Sequence, residues 1–131
     1  MTNGAITKEV GDFLTRHIDS VAQLEVLLLL YNNGHRQWTP RDVASELRIA
    51  SDWAAERMKE LHANGLLAEE SESSYRYAPK SEKLKSVVKA VAQTYAERRV
   101  AVIDFIYAKP LSNLRVFAES FRIRKKDDKD G

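Results

Sequence analysis

The chain has no cysteine and little glycine or proline, with five and three residues among 131. The lack of cysteine excludes disulfides and thiolate chemistry and fits the cytoplasmic location that we predict. The longest aliphatic run, Val26–Leu30, is far shorter than the roughly 20 apolar residues of a membrane span. Residues 1–11 lack a basic start followed by an apolar stretch, so they do not indicate a secretory signal.

The charge is unevenly distributed along a chain whose formal net charge is +2. Residues 39–78 carry five basic against eight acidic residues, whereas residues 79–126 carry twelve basic against four acidic ones. With 44% hydrophobic and 31% charged residues, the composition is that of one globular core with an appended element.

Apolar spacing and capping residues predict two helices before residue 35. The stripe of the first helix, within residues 1–18, is formed by Val10, Phe13, Leu14, His17 and Ile18. Ser20 and Gln23 have the spacing of a capping box and predict the start of the second helix. Because Val26–Leu30 leaves little polar face, we expect this helix to be buried on most sides and to end at a left-handed Gly34.

Residues 39–78 carry the signals of two short helices followed by a hairpin. Thr39 is a predicted N-cap, Arg48–Ala50 is a tight turn, and Ser51 is the predicted N-cap of the next helix. The predicted core side of that helix is formed by Ala54, Met58 and Leu61. Leu66–Ala68 and Tyr75–Ala78 read as strands joined by polar residues.

This order of elements is that of a winged helix. Trp38–Leu47 and Ser51–Leu67, which ends in KELHANGLL, resemble the MarR-like and PadR-like winged-helix transcriptional regulators. The resemblance implies a mostly α-helical winged helix-turn-helix with a small β-hairpin wing. It also implies that Ser51–Asn64 is a recognition helix that enters a DNA major groove. Such a resemblance is more specific for fold than for function.

The sequence of the C-terminal third predicts helices whose apolar sides pack on one another or on a second chain. Apolar residues recur at a spacing near 3.5 from Ser81 to Lys109, so we predict one long helix that ends at Pro110. Since residues 100–107 are apolar almost all round, we expect a homodimer through this helix. The candidate dimerisation residues are Tyr95, Val102, Ile103, Phe105 and Ile106. A further short amphipathic helix is indicated by Leu111, Leu114, Phe117, Ala118 and Phe121.

Three carboxylates line up along the predicted outer face of the recognition helix. The point opposite the predicted core side falls on Asp52, Glu56, Lys59 and Ala63, flanked by Trp53 and Glu60. Asp52, Glu56 and Glu60 are spaced i, i+4 and i+8 along this face. Neutralisation of phosphates by lysine and arginine supplies most non-specific DNA affinity, so this stripe opposes DNA binding. The alternative to a binding face is an ordinary solvent-exposed helix face. Like charges at i, i+4 mildly destabilise a helix, so this stripe is not favoured on a surface without a partner.

Trp53, beside this stripe, has two interpretations. An outward indole is a good anchor for a protein partner. Packing under the preceding helix is the interpretation that we favour from the sequence.

Polar residues near the module are the candidates for DNA contact, namely Arg41, Arg48, Ser51, Arg57, Lys59 and Arg76. The basic residues of this set have two interpretations. They form a positive rim around an acidic centre, together with Lys80, Lys83, Lys85 and Lys89, or all of these are scattered surface charge.

Patterns typical of enzymes are missing from the sequence. The three histidines lack metal-site spacing, and there is neither a glycine-rich phosphate loop nor a nucleophile elbow. We therefore predict a binding protein without catalytic residues, cofactor or metal.

Two hypotheses about function follow. The first is a dimeric DNA-binding transcriptional regulator. The second is a winged helix that binds a basic protein through Asp52, Trp53, Glu56 and Glu60 without binding DNA. A membrane-surface role for Phe117, Phe121 and the basic run 122–126 is a weaker alternative to their packing on the dimer. The predicted regions are an N-terminal helix (1–18), the winged helix (19–79), dimerisation helices (80–122) and a flexible charged tail (123–131).

Overall fold

The computed structural model of the protein describes residues 6–71 and 73–108. This part of the chain is mostly α-helical with a small two-stranded antiparallel sheet, which confirms the predicted fold class at that level. The elements, in chain order, are α1 (Lys8–His17), α2 (Val21–Asn32), α3 (Pro40–Leu47), α4 (Ser51–Ala63), β1 (Leu67–Ser71), β2 (Ser74–Tyr77), α5 (Glu82–Glu97) and α6 (Arg99–Ala108). The predicted helix at residues 111–121 and the tail lie outside the described residues.

Helix α2 lies at the centre of the core. Leu24, Leu27 and Leu30 are fully buried, and the helix contacts α3, α4 and β2. The hydroxyl of Ser20 accepts the N–H of Gln23 at 3.0 Å, as predicted. The Gln23 side chain, however, accepts the N–H of Asp19 at 2.7 Å instead of the N–H of Ser20. The capping box is therefore only half formed, and its second bond is displaced by one residue.

The end of α2 differs from the prediction. Asn33 is the C-cap with φ −129°, and its N–H donates to the carbonyl of Leu30. Among the glycines of the described segments, Gly65 has a positive φ, of 80°, and Gly34 does not. The helix ends at the predicted place, but the predicted left-handed conformation of Gly34 is wrong, because the N–H of Asn33 closes the last turn on Leu30 and no positive φ follows at Gly34.

The connection of α3 to α4 is set by caps at both ends of α3. The hydroxyl of Thr39 accepts the N–H of Asp42 at 3.1 Å, and the Asp42 carboxylate accepts the N–H of Thr39 at 3.0 Å. Arg48 ends α3 in the left-handed conformation, with φ 60° and ψ 50°. The predicted N-cap at Ser51 is wrong, because Ala50 occupies that position without a side-chain cap bond and Ser51 is the first helical residue.

The hairpin is tied to the segment that precedes α3. Leu67 pairs with Tyr77 and Glu69 with Tyr75. The first strand is longer than predicted and starts one residue later, whereas the second has the predicted length and starts one residue earlier. Trp38 pairs with Tyr75 through two backbone hydrogen bonds of 2.8 and 2.9 Å. This bridge fixes the hairpin against the start of α3.

The segment predicted as one long helix forms two helices. Arg98, with φ −136° and ψ 54°, separates α5 from α6. A single non-helical residue leaves the apolar spacing almost in phase, which is why the pattern did not reveal the break. Helix α1 contacts both α5 and α6. No described helix combines the length and the apolarity needed to cross a membrane.

The two candidate caps give a direct test of the α3–α4 geometry. Thr39→Ala removes a formed cap and is expected to lower the free energy of unfolding by about 1 kcal/mol. Ser51→Ala is the matched control and should change it by less than about 0.5 kcal/mol, since its hydroxyl caps nothing. Urea unfolding followed by circular dichroism measures both. Equal losses for the two variants would contradict the observed caps.

Candidate binding surface

The outer face of α4 is set by its buried side. Ala54, Met58 and Leu61 are fully buried, as predicted. Asp52 and Glu56 are exposed on the other side, and Glu60 is half-buried. The carboxylate stripe is therefore present at the surface. We define the α4 face as Asp52, Trp53, Glu56 and Glu60.

Trp53 is a large apolar side chain at this surface. It is 48% exposed, so the interpretation that it packs under the preceding helix is wrong. The guanidinium carbon of Arg57 lies 4.7 Å from the centre of its ring. This cation–π contact covers part of the ring and leaves the rest available to a partner.

Two of the predicted DNA-contacting cations are already paired with carboxylates. Arg57 donates two hydrogen bonds to Glu60, from Nε at 2.9 Å and from Nη2 at 2.8 Å. Arg76 pairs with Glu70 across the hairpin at 2.5 Å. Surface pairs of this kind contribute only about 0 to 1 kcal/mol, but they neutralise the cations locally. Arg57 and Arg76 therefore offer less unpaired positive charge to DNA than the sequence suggests.

The other candidates for DNA contact are exposed. Arg41 lies in the first turn of α3, Arg48 in the turn and Lys59 in the middle of α4. Within the described segments none of these three forms an ion pair. Ser51 is exposed at the start of α4.

The structure does not gather the four lysines after the hairpin into one rim. The side chain of Lys80 lies against Gly65 at the end of α4. Lys83 instead lines a groove between α1 and α5. Lys85 and Lys89 are exposed on α5. Three of the four lysines thus lie on α5 and one just before it, and we interpret them as surface charge.

A polar cluster that the sequence did not predict joins α2 to α5 and α6. The hydroxyl of Tyr95 donates to Glu25 at 2.8 Å, and Arg99 donates to the same oxygen at 3.1 Å. Burial, with Glu25 as a lesser cause, raises the pKa of Tyr95 to about 12. The one signal for this cluster was Glu25, a lone charge in a largely apolar helix that needs a partner.

The predicted dimerisation residues are largely occupied within the chain. Val102 and Ile106 are buried in the core of the chain itself, so they offer almost no surface to a second chain. Tyr95 is engaged with Glu25, and the ring of Phe105 packs over Gly11. Ile103 is half-buried.

A groove with a volume of about 620 Å³ lies between α1 and the start of α5. His17 lines it and stacks on Phe13, with 5.0 Å between ring centres. Its Nδ1 is buried without a hydrogen-bond partner, and burial lowers the pKa of the imidazole. His17 lies at the edge of the core, as its position on the α1 stripe indicated.

Comparison of the chain with protein-family models, with curated proteins and with solved structures found no match. Within residues 6–71 and 73–108, no three histidine, aspartate or glutamate side chains lie close enough together to hold a metal ion. The chemistry of the α4 face therefore has to be argued from its own residues.

The lowered pKa of His17 predicts a loss of stability in acid. The unfolded chain binds a proton near the ordinary pKa of 6.5, whereas the folded imidazole binds it only at lower pH. Stability should therefore be unaffected above pH 6.5 by this group and fall as the pH drops below it. Urea unfolding of the wild type and of His17→Gln at several pH values measures the effect. The variant should lose less stability on acidification, and an unchanged pH profile would rule out this role.

Proposed function

We propose that the protein is a non-catalytic winged-helix module that binds a basic protein surface through the α4 face. The winged-helix assignment is supported by the order of elements: α3, a three-residue turn, α4 and a hairpin. The bridge between Trp38 and Tyr75 supports it further, because it attaches the hairpin beside the helix pair. This order presents α4 as the helix that meets a ligand.

The exposed Trp53 is the observation that carries the proposal. Tryptophan is enriched among the residues that dominate binding energy at protein interfaces. The indole of Trp53 is half exposed although Arg57 already stacks on one part of it. A partner that covers the ring would gain apolar area without first displacing core residues.

The charge of the α4 face specifies the kind of partner. Asp52 and Glu56 are exposed, and Arg57, whose guanidinium stacks on Trp53, is held by Glu60. A basic surface complements this arrangement and would be steered toward it. A polyanion would instead meet two exposed carboxylates and a guanidinium already paired with Glu60, with Lys59 as an exposed cation on the same helix.

DNA binding is the second candidate function. It is favoured by Arg41, Arg48 and Lys59, which are exposed and, within the described residues, unpaired. In a winged helix these positions lie near the phosphate backbone. Asp52 and Glu56 occupy the intervening outer positions of α4, which is why we place DNA after a basic protein.

Poly-L-lysine is a suitable probe for the α4 face. Of the two tryptophans, Trp38 is buried and Trp53 is exposed, so acrylamide quenching reports mainly on Trp53. At low salt, bound poly-L-lysine should shield Trp53 and reduce this quenching. Asp52→Asn with Glu56→Gln should weaken the affinity by about tenfold, or about 1.4 kcal/mol, measured by calorimetry.

The matched control is Glu9→Gln with Glu82→Gln, which neutralises two exposed carboxylates on helices other than α4. It should leave the affinity within about twofold of the wild type. Unchanged quenching of Trp53 on binding would refute the proposal, and so would an equal loss of affinity in both double variants.

A further inference from the structure

The contact of Arg57 with Trp53 belongs to a pattern that recurs within the described segments. Each arginine that stacks on an aromatic ring there also pairs with a carboxylate, and its guanidinium carbon lies 3.8 to 5.1 Å from the ring centre. The sets are Arg36 with Trp38 and Asp42, Arg57 with Trp53 and Glu60, and Arg99 with Tyr95 and Glu25. This arrangement suits a guanidinium, whose flat face stacks on a ring while its edge donates to a carboxylate.

Trp53 differs from the other two aromatic residues in its exposure. Trp38 is buried and Tyr95 is half-buried, so the chain itself covers much of their rings. Trp53 is 48% exposed although Arg57 already stacks on it. Its ring therefore has surface left that a second cation can cover.

Two carboxylates lie next to Trp53 on α4. Glu56 is one helical turn away, at i+3, and is exposed. Asp52 is exposed as well, and its carboxylate accepts the N–H of Trp53 at 2.9 Å. Within residues 6–71 and 73–108, neither carboxylate forms an ion pair. The surroundings of the exposed ring are therefore negatively charged and open to a cation from outside.

We infer that the α4 face takes an arginine side chain of its partner, which stacks on the open part of Trp53 and pairs with Glu56. The inference rests on the proposed function, since it specifies which side chain of a basic partner meets the α4 face. The partner's arginine would repeat, between two proteins, the arrangement that Arg57 makes with Trp53 and Glu60 within one.

The chemistry of the two basic side chains favours arginine over lysine at this position. A guanidinium is planar and weakly hydrated, so it can stack on an indole and donate two hydrogen bonds to one carboxylate. A lysine ammonium is a compact, strongly hydrated charge without a flat face. Arg57 repels an incoming guanidinium only weakly, because Glu60 pairs with it through hydrogen bonds of 2.9 and 2.8 Å.

Two blocked peptides of equal length test the inference, one alternating glycine with arginine and the other alternating glycine with lysine. Calorimetry at low salt measures their affinities for the full chain and for Trp53→Leu, which keeps an apolar side chain and removes the ring. Tyr107→Leu is the matched control, because Tyr107 is an exposed aromatic residue on α6 rather than on α4. Circular dichroism verifies that both variants fold.

The wild type should bind the arginine peptide about fivefold more tightly than the lysine peptide, because a cation–π contact at an exposed site contributes a factor of this order. Tyr107→Leu should keep this preference. Trp53→Leu should reduce it to less than about twofold and still bind both peptides through its carboxylates.

Equal affinities for the two peptides in the wild type would overturn the inference and leave the proposed function standing. The same holds if the preference survives in Trp53→Leu or is lost equally in Tyr107→Leu. Binding of neither peptide to the wild type would overturn the inference and the proposed function together.

Discussion

Helix α2 is buried at the centre of the core, and α3, α4 and β2 pack against it. Leu24, Leu27 and Leu30 are fully buried, and a helix this apolar must be covered on several sides. Helix α4 provides one of these covers, alongside α3 and β2. Because α4 is seated on α2 by its own apolar side, the helical period turns its carboxylate stripe to the outside. The position of the α4 face is thus a consequence of core packing.

Much of the fold could be predicted because its signals are local. The cap at Thr39 and the core side of α4 follow from short-range spacing. The sequence did not predict the left-handed Arg48, the start of α4 at Ser51 without a side-chain cap, or the break at Arg98. Each of these features changes the backbone of one residue and leaves the apolar pattern unshifted. The turn at Asn33 that ends α2 also leaves this pattern unchanged.

The candidate surface was predictable in charge but not in detail. The carboxylate stripe follows from sequence spacing alone, whereas the exposure of Trp53 depends on which rotamer and neighbours its ring finds. Arg57 and Glu60 are close in sequence, but Arg57 also stacks on Trp53, so spacing alone does not tell which neighbours the guanidinium contacts. The contact of Tyr95 with Glu25 joins residues far apart in sequence, and such contacts are not encoded in helical periodicity. Which partner a surface side chain contacts therefore depends on tertiary packing that sequence spacing does not specify.

Because Asp52 and Glu56 are exposed on the α4 face, we expect this face to oppose DNA binding. The decisive measurement is fluorescence anisotropy of labelled mixed-sequence duplex DNA from about 50 to 200 mM salt. We expect no saturable binding at the lowest salt while circular dichroism shows the protein folded. Tight binding whose logarithm falls steeply with the logarithm of salt, with a slope reduced by about one in Lys59→Ala, would contradict it.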